Sequence, residues 1–270
     1  MDILTRIIQA KKKCIETAKY RVPLDTLRAA TMTTRASLKR HALIGALNND
    51  RINVIAEFKR KSPSKGTIRD DVAVDTMARH YQAGGAGAIS VLTEEDYFDG
   101  SLEDLTIART VVSLPVLRKD FIVDEYQVYE SAAAGADALL LIVAALDDAH
   151  LIELRQLAED ELGMDALVEV HTSTEMQRAV ASGAKLIGVN NRNLKTFEVT
   201  LDTSISLSRQ APGELVLVSE SGLNTNEDLT RLHSMGYRGF LIGESLMRAE
   251  RPDETLRMLI GEEKADGEKG

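Results

Sequence analysis

Four short segments of small residues recur along this sequence at nearly even intervals. They are Ala83-Gly-Gly-Ala-Gly-Ala-Ile89, Ala133-Ala-Gly-Ala-Asp-Ala-Leu139, Ala181-Ser-Gly-Ala-Lys-Leu-Ile187 and Ser234-Met-Gly-Tyr-Arg-Gly-Phe240. Their aligned glycines, Gly85, Gly135, Gly183 and Gly236, lie 50, 48 and 53 residues apart. A glycine that ends a helix in the left-handed conformation lets the chain turn tightly into a strand, and each segment leads into a short apolar run. Eight such runs follow residue 50: Asn53–Phe58, Ala88–Leu92, Pro115–Arg118, Ala138–Val143, Ala166–Val170, Leu186–Asn190, Leu215–Ser219 and Gly239–Ile242. They are nearly continuous in Val, Ile, Leu and Ala, the pattern of parallel strands buried on both faces. Helical patterns separate them, such as Tyr126-Gln-Val-Tyr-Glu-Ser-Ala-Ala-Ala. Eight β-then-α units in about 200 residues have the period of a (β/α)8 TIM barrel, with the repeated segment before every even-numbered strand. A Rossmann-type sheet gives no reason for four evenly spaced copies.

The remaining chain divides around that barrel. Residues 1–49 predict two or three helices broken near Val22-Pro23-Leu24, too short for a core of their own. We therefore expect one domain over 1–261, with 1–49 a helical extension packed on the barrel and 262–270, polar and Gly-rich, a disordered tail. With 44% hydrophobic and 28% charged residues the chain can bury a core, which excludes wholesale disorder. No apolar run approaches a membrane span and no signal-peptide pattern opens the sequence, so no membrane partner is expected. One cysteine, Cys14, leaves no intrachain disulfide or Cys-based zinc site, and a cytoplasmic setting follows as the expectation. The net charge of −9 argues against a nucleic-acid partner. Residues 1–49 do carry ten Lys and Arg against three Asp and Glu, but at helical spacing between apolar residues, which predicts a solvated helix face.

In such a barrel the active site lies at the C-terminal ends of the strands. There the sequence places charges that packing does not require. The first strand ends in Glu57-Phe-Lys59, with both charged side chains on one face, followed by Ser62. The third ends at Lys119, the fifth at Glu169, the sixth at Asn190 with Arg192 beyond, and the seventh at Glu220-Ser221-Gly222. Burying such groups costs several kcal/mol unless they pair, so an inert barrel would avoid them. Glu57, Lys59, Lys119 and Glu169 all come from odd-numbered strands, whose side chains share a layer. Ser221-Gly222 and Gly243-Glu244, on adjacent strand ends, let backbone N–H groups approach an anion at the usual barrel phosphate position. No Walker loop, Gly-x-Ser-x-Gly elbow or paired-histidine metal motif occurs. His171, after the fifth strand, reads as a surface residue or one supporting the site, not as a metal ligand.

Together the motifs Ile55-Ala-Glu-Phe-Lys-Arg-Lys-Ser-Pro-Ser, Leu117-Arg-Lys-Asp-Phe-Ile, Leu167-Val-Glu-Val-His, Ile187-Gly-Val-Asn-Asn-Arg-Asn-Leu, Val218-Ser-Glu-Ser-Gly and Leu241-Ile-Gly-Glu-Ser-Leu-Met resemble the indole-3-glycerol-phosphate synthase family. The likeness runs from about Ile3 to Leu259. The first-strand signature is its most specific part. It implies a lyase of tryptophan biosynthesis that closes the pyrrole ring of 1-(2-carboxyphenylamino)-1-deoxyribulose 5-phosphate with loss of CO2 and water. It further implies N-terminal helices partly covering the barrel mouth, no cofactor or metal, and a monomer. In that scheme Lys119 protonates the developing alkoxide and Glu169 serves as acid or base in the later steps. Lys59 binds the phosphate or the carboxylate and is the candidate acid for dehydration, while Glu57 either holds Lys119 protonated or acts as a base. Asn190 joins the catalytic set as a neutral donor, Ser62, Arg192, Glu220 and Ser221 fall to carboxylate and hydroxyl contacts, and Gly222, Gly243 and Glu244 to the phosphate. Some relatives have serine where Glu244 stands, so contact there would come from the backbone N–H alone. Two other phosphate-binding barrels fit less well. A phosphoribosylanthranilate isomerase would use a first-strand cysteine and an aspartate, and a sugar-phosphate decarboxylase an Asp-x-Lys-x-x-Asp triplet that is absent. A non-catalytic barrel using its basic arm would bind polyanions without turnover.

Overall fold

The structure is a computed structural model that describes residues 3–194 and 196–262. The tail expected at 262–270 lies, from residue 263 onward, outside the described residues. The apolar runs form eight parallel strands: β1 (Asn53–Phe58), β2 (Ala88–Leu92), β3 (Val116–Lys119), β4 (Ala138–Ile142), β5 (Asp165–Val170), β6 (Leu186–Asn190), β7 (Val216–Glu220) and β8 (Tyr237–Ile242). Each pairs with the next, and β8 pairs with β1 from Asn53 opposite Gly239 to Ala56 opposite Ile242, so the sheet closes into a (β/α)8 TIM barrel. β1, β2 and β6 match their expected spans to the residue. The differences at β3 and β7 have a shared cause: hydropathy ends at Arg118 and Ser219, but the hydrogen-bonded ladder runs one rung further. It pairs Lys119 with Leu92, and Glu220 with Asn190 and Leu241. The polar residue that ends the apolar run is still strand. The repeated segment behaves as its glycines require, with φ of 87°, 88°, 82° and 101° at Gly85, Gly135, Gly183 and Gly236.

Two hydrophobic layers follow from strands buried on both faces. Val54, Ala56, Phe58, Leu139 and Leu141 point outward into the shell beneath the helices. Ile55, Leu117, Leu167, Val218 and Leu241 point into the barrel. Residues 3–47 run from one end of the barrel to the other as three helices: α1 (Ile3–Arg21), α2 (Leu24–Arg35) and α3 (Ala42–Leu47). Helix α3 plugs the lower end. Its Leu43 and Leu47 join the inner apolar cluster, and the N–H groups of Leu43 and Ile44 donate to buried Asp165 Oδ2 at 2.9 and 3.0 Å. Helix α2 runs down the flank, where Thr31 Oγ1 donates to Tyr129 O at 3.0 Å and Thr34 Oγ1 to Ala133 O at 3.3 Å.

Helix α1 lies at the upper end. Its buried stripe is Ile7, Lys11 and Ile15, at i, i+4 and i+8, and here the expectation of a solvated basic face needs correction. Lys11 is buried and its Nζ stands 2.8 Å from Asp120 Oδ1. Lys19 pairs with Asp124 at 2.8 Å, and the Arg35 guanidinium donates to the carbonyls of Leu162, Ala136 and Gly163. Periodicity placed these cations on helices; it had no way to show that one face meets carboxylates and carbonyls of the barrel.

Candidate active site

Because strand side chains alternate, two residues beyond Ile55, Leu117, Leu167 and Val218 stand Glu57, Lys119, Glu169 and Glu220, again on the inner face. These four side chains meet. Lys119 Nζ is 3.2 Å from Glu220 Oε2, 3.7 Å from Glu169 Oε2 and 3.8 Å from Glu57 Oε2. Lys59 adds a second ammonium, 2.6 Å from Glu57 Oε1. Each odd strand thus contributes one charge to a single ring, and the layer expected from sequence is complete once Glu220 is added to it. Even strands make room. A Cβ on Gly188 of β6 would collide with Glu220 Oε1, and one on Gly243, just past β8, would lie 2.7 Å from Glu57 Oε1.

The ring's electrostatics follow from burial and neighbours. Burial alone would lower the Lys119 pKa, but the carboxyls of Glu220, Glu57 and Glu169 outweigh it and raise it above the ordinary lysine value. Lys119 is therefore an ammonium throughout the physiological range. That suits proton donation and oxyanion stabilisation; a Schiff-base role needs the opposite shift. Burial would push the Glu57 carboxyl up, but Lys59 and Lys119 hold it below its usual value. Glu220 goes the other way. Burial pushes it up to about 8, against the pull of Lys119, whose Nζ is 3.2 Å from its Oε2.

Two cavities open from this ring. One, of about 780 Å3, reaches toward the ends of β7 and β8. Ser221, Gly222, Gly243 and Glu244 line it as the sequence predicted, and so do Lys59 and Arg192. Lys65 and Arg248 line it too, and the sequence reading left both out. Lys65 directly follows the first-strand motif; Arg248 has no signal beyond a position four residues after Glu244, to which it donates at 3.3 Å. Ser221 and Gly222 are successive left-handed residues, with φ of 68° and 78°. A Cβ on Gly222 would lie 2.6 Å from Val199 Cγ1, so this turn and the room beside Glu57 already require glycine at 222 and 243. The cations around the cavity, more than its glycines, mark it for an anion.

The second cavity is apolar. It is floored by the ring and walled by Phe98, Phe121, Leu140 and Ile142, with Ile3, Leu4 and Ile7 of helix α1 across the top. Ser62 and Asn190 supply polar edges, and Asn190 Oδ1 accepts from the Arg192 backbone N–H at 3.0 Å. The sequence reading missed this pocket, because its walls are single apolar residues on a strand, a loop and helices far apart in sequence. Glu57, Lys59, Lys119, Arg192 and Ser221 border both cavities, so one molecule can span them with its middle at Lys119. His171 is no surface residue. Its ring is mostly buried against Glu169 and Glu175, and among the described residues no cluster of three or more His, Cys, Asp or Glu could hold a metal ion.

Comparison with known proteins gives the family. The family model for indole-3-glycerol phosphate synthase matches residues 4–259. An indole-3-glycerol phosphate synthase of Carboxydothermus hydrogenoformans is 44% identical over 262 residues, covering 95% of this chain and 99% of that protein. One of Polaromonas naphthalenivorans is 46% identical over 265 residues, covering 97% and 99%. Among solved structures, thiamine phosphate pyrophosphorylase from Pyrococcus furiosus aligns with a TM-score of 0.59 at 16% identity, over 79% of this chain and 95% of its own. KGPDC from Streptococcus mutans aligns with a TM-score of 0.59 at 13% identity, over 78% and 97%. At such identities these two share the barrel fold with this chain and nothing finer.

Proposed function

The chain belongs to the indole-3-glycerol phosphate synthase family and is a carboxy-lyase of tryptophan biosynthesis, and we propose that the charged ring and its two cavities perform the reaction as follows. The substrate, 1-(2-carboxyphenylamino)-1-deoxyribulose 5-phosphate, has a dianionic phosphate at one end and a carboxylated aromatic ring at the other. Its phosphate occupies the cationic cavity by β7 and β8, held by Lys59, Arg248 and the backbone of Gly222, Gly243 and Glu244. Its aromatic ring enters the apolar cavity beneath helix α1, with Ser62, Asn190 and Arg192 at the carboxylate. The ribulose carbonyl then falls between them, at Lys119.

Lys119 donates a proton to the alkoxide that forms as the aromatic ring carbon attacks, and its charge stabilises that oxygen. The attack leaves an iminium in the substrate, which accepts the electron pair released with CO2. Dehydration follows, with Glu169 removing the ring proton and Lys59 delivering one to the leaving hydroxyl. Glu57, between the two ammonium groups, holds both in place. Glu220 borders the same cavity but stands 3.2 Å from Lys119 Nζ, and we assign it to positioning that ammonium. A single observation carries this reading: one buried ammonium ringed by three carboxyls, standing where an apolar pocket meets a cationic one.

We further propose a monomeric cytoplasmic enzyme in which residues 1–261 fold as a unit. Tyr126 donates to the carbonyls of Ala18 and Val22, tying helix α1 to the barrel. The three most exposed large apolar side chains, Tyr20, Met32 and Met258, lie on three separate helices. The lone cysteine is exposed and unpaired, and among the described residues no helix is long and apolar enough to cross a membrane. Kinetics test the substrate's orientation. Arg248→Ala should raise KM with kcat little changed, since phosphate contacts bind ground and transition states alike. Wild-type KM in that variant would move the phosphate elsewhere.

A further inference from the structure

Glu169 has a neighbour that the mechanism does not use. His171 is the first residue after β5, and its ring stands between two carboxyls. Nε2 is 3.4 Å from Glu169 Oε1, and Nδ1 is 3.3 Å from Glu175 Oε2. That same Glu175 oxygen accepts the His171 backbone N–H at 2.6 Å. Glu175 is itself fixed, in the first turn of the helix Ser173–Ala181, where its backbone N–H donates to the side chain of Thr172. The imidazole is therefore pinned from one side. On the other side Nε2 is buried without a hydrogen-bond partner, facing Glu169. The second Glu169 oxygen faces Lys119.

Resting on the reading of Glu169 as a catalytic base, we infer that His171 is its positioning residue: the ring fixes the far oxygen of Glu169 so that the near one faces Lys119, and its charge keeps the carboxyl ready to accept a proton. The charged groups around the ring favour its protonated form. Glu169 and Glu175 touch it, Glu220 lies beyond Glu169, and Arg192 and Glu198 border the same polar cavity. Burial alone would push the His171 pKa down; Glu175 and Glu169 more than offset it, and it rises. A neighbouring cation lowers the pH at which a carboxylate takes up its proton, so losing that cation raises it.

The pH dependence of kcat/KM for the ring-closure reaction tests this, using His171→Asn and His171→Gln beside wild type. Neither variant can carry the charge, so both should move the acidic limb up by roughly one pH unit. His171→Gln keeps an N–H donor near the Nε2 position and should retain more kcat than His171→Asn, with KM within about twofold of wild type in both if only positioning is lost. In a Glu169→Gln background neither substitution should cost further activity. An unmoved acidic limb in a folded, active His171→Gln variant would overturn the inference while leaving Glu169 in place. Full activity in Glu169→Gln alone would instead remove the reading on which it rests.

Discussion

The same four strands build two very different rings inside this barrel. Ile55, Leu117, Leu167 and Val218 form a lower one, closed from below by Leu43 and Leu47 of helix α3. One step of the strand period higher, Glu57, Lys119, Glu169 and Glu220 form the upper one, its three carboxyls buried almost as completely. Backbone geometry and register are shared, so the contrast is one of side-chain chemistry alone. The lower ring gains stability by removing apolar surface from water. The upper ring gives some back by desolvating four ionisable groups and recovers part through opposed charges. Stability and chemistry are thus stacked along the barrel axis, two residues apart in sequence.

Substitutions at matched heights should separate the two. In the upper ring, Glu169→Gln should lower kcat by a factor of about 10² to 10⁴, the scale for losing an acid–base group, with the thermal midpoint nearly unchanged. Its lower counterpart, Leu167→Ala, should do the reverse, losing about 2–5 kcal/mol of stability while the folded enzyme stays within a few fold of wild-type kcat/KM. Denaturant unfolding beside steady-state kinetics would read both; a Leu167→Ala variant as inactive as Glu169→Gln would mean the rings are not separable. Glu220 supplies a pH signature. Burial pushes its carboxyl up to about 8, far above the unfolded value, so stability should fall as pH rises through that window. Glu220→Gln should flatten the decline in thermal midpoint between about pH 5 and pH 8. A parallel decline in both proteins would place the proton elsewhere. The smallest effect concerns the cover. Lys11→Met should loosen helix α1 over the apolar cavity and raise KM a few fold at constant kcat, whereas a variant that lowers kcat alone would tie Lys11 to the chemistry.

Much of this could be read from sequence. Glycines at every even strand counted the barrel units, and charges at strand ends where packing wants none marked Glu57, Lys119 and Glu169. The family likeness then supplied the reaction. What stayed hidden depends on contacts between distant segments. Ile3, Leu4 and Ile7 look like any amphipathic helix until they lie across Phe121 and Ile142. Lys11 reads as solvated because its partner, Asp120, is more than a hundred residues away. The glycines at 222 and 243 read as phosphate contacts or as tight turns, and sequence could not show that Val199 and Glu57 crowd them. His171 was placed near the mouth, but nothing local showed its ring wedged between two glutamates.

The division between rings turns most directly on Lys119. Purified wild-type protein, Lys119→Ala and Leu117→Ala, which lies one strand step below it, can be given the carboxyphenylamino-deoxyribulose phosphate while indole fluorescence and circular dichroism are followed together. Wild type should form product. Lys119→Ala should remain folded with kcat reduced by a factor of about 10² or more, and Leu117→Ala should turn over but melt earlier. Wild-type turnover in folded Lys119→Ala would contradict the account.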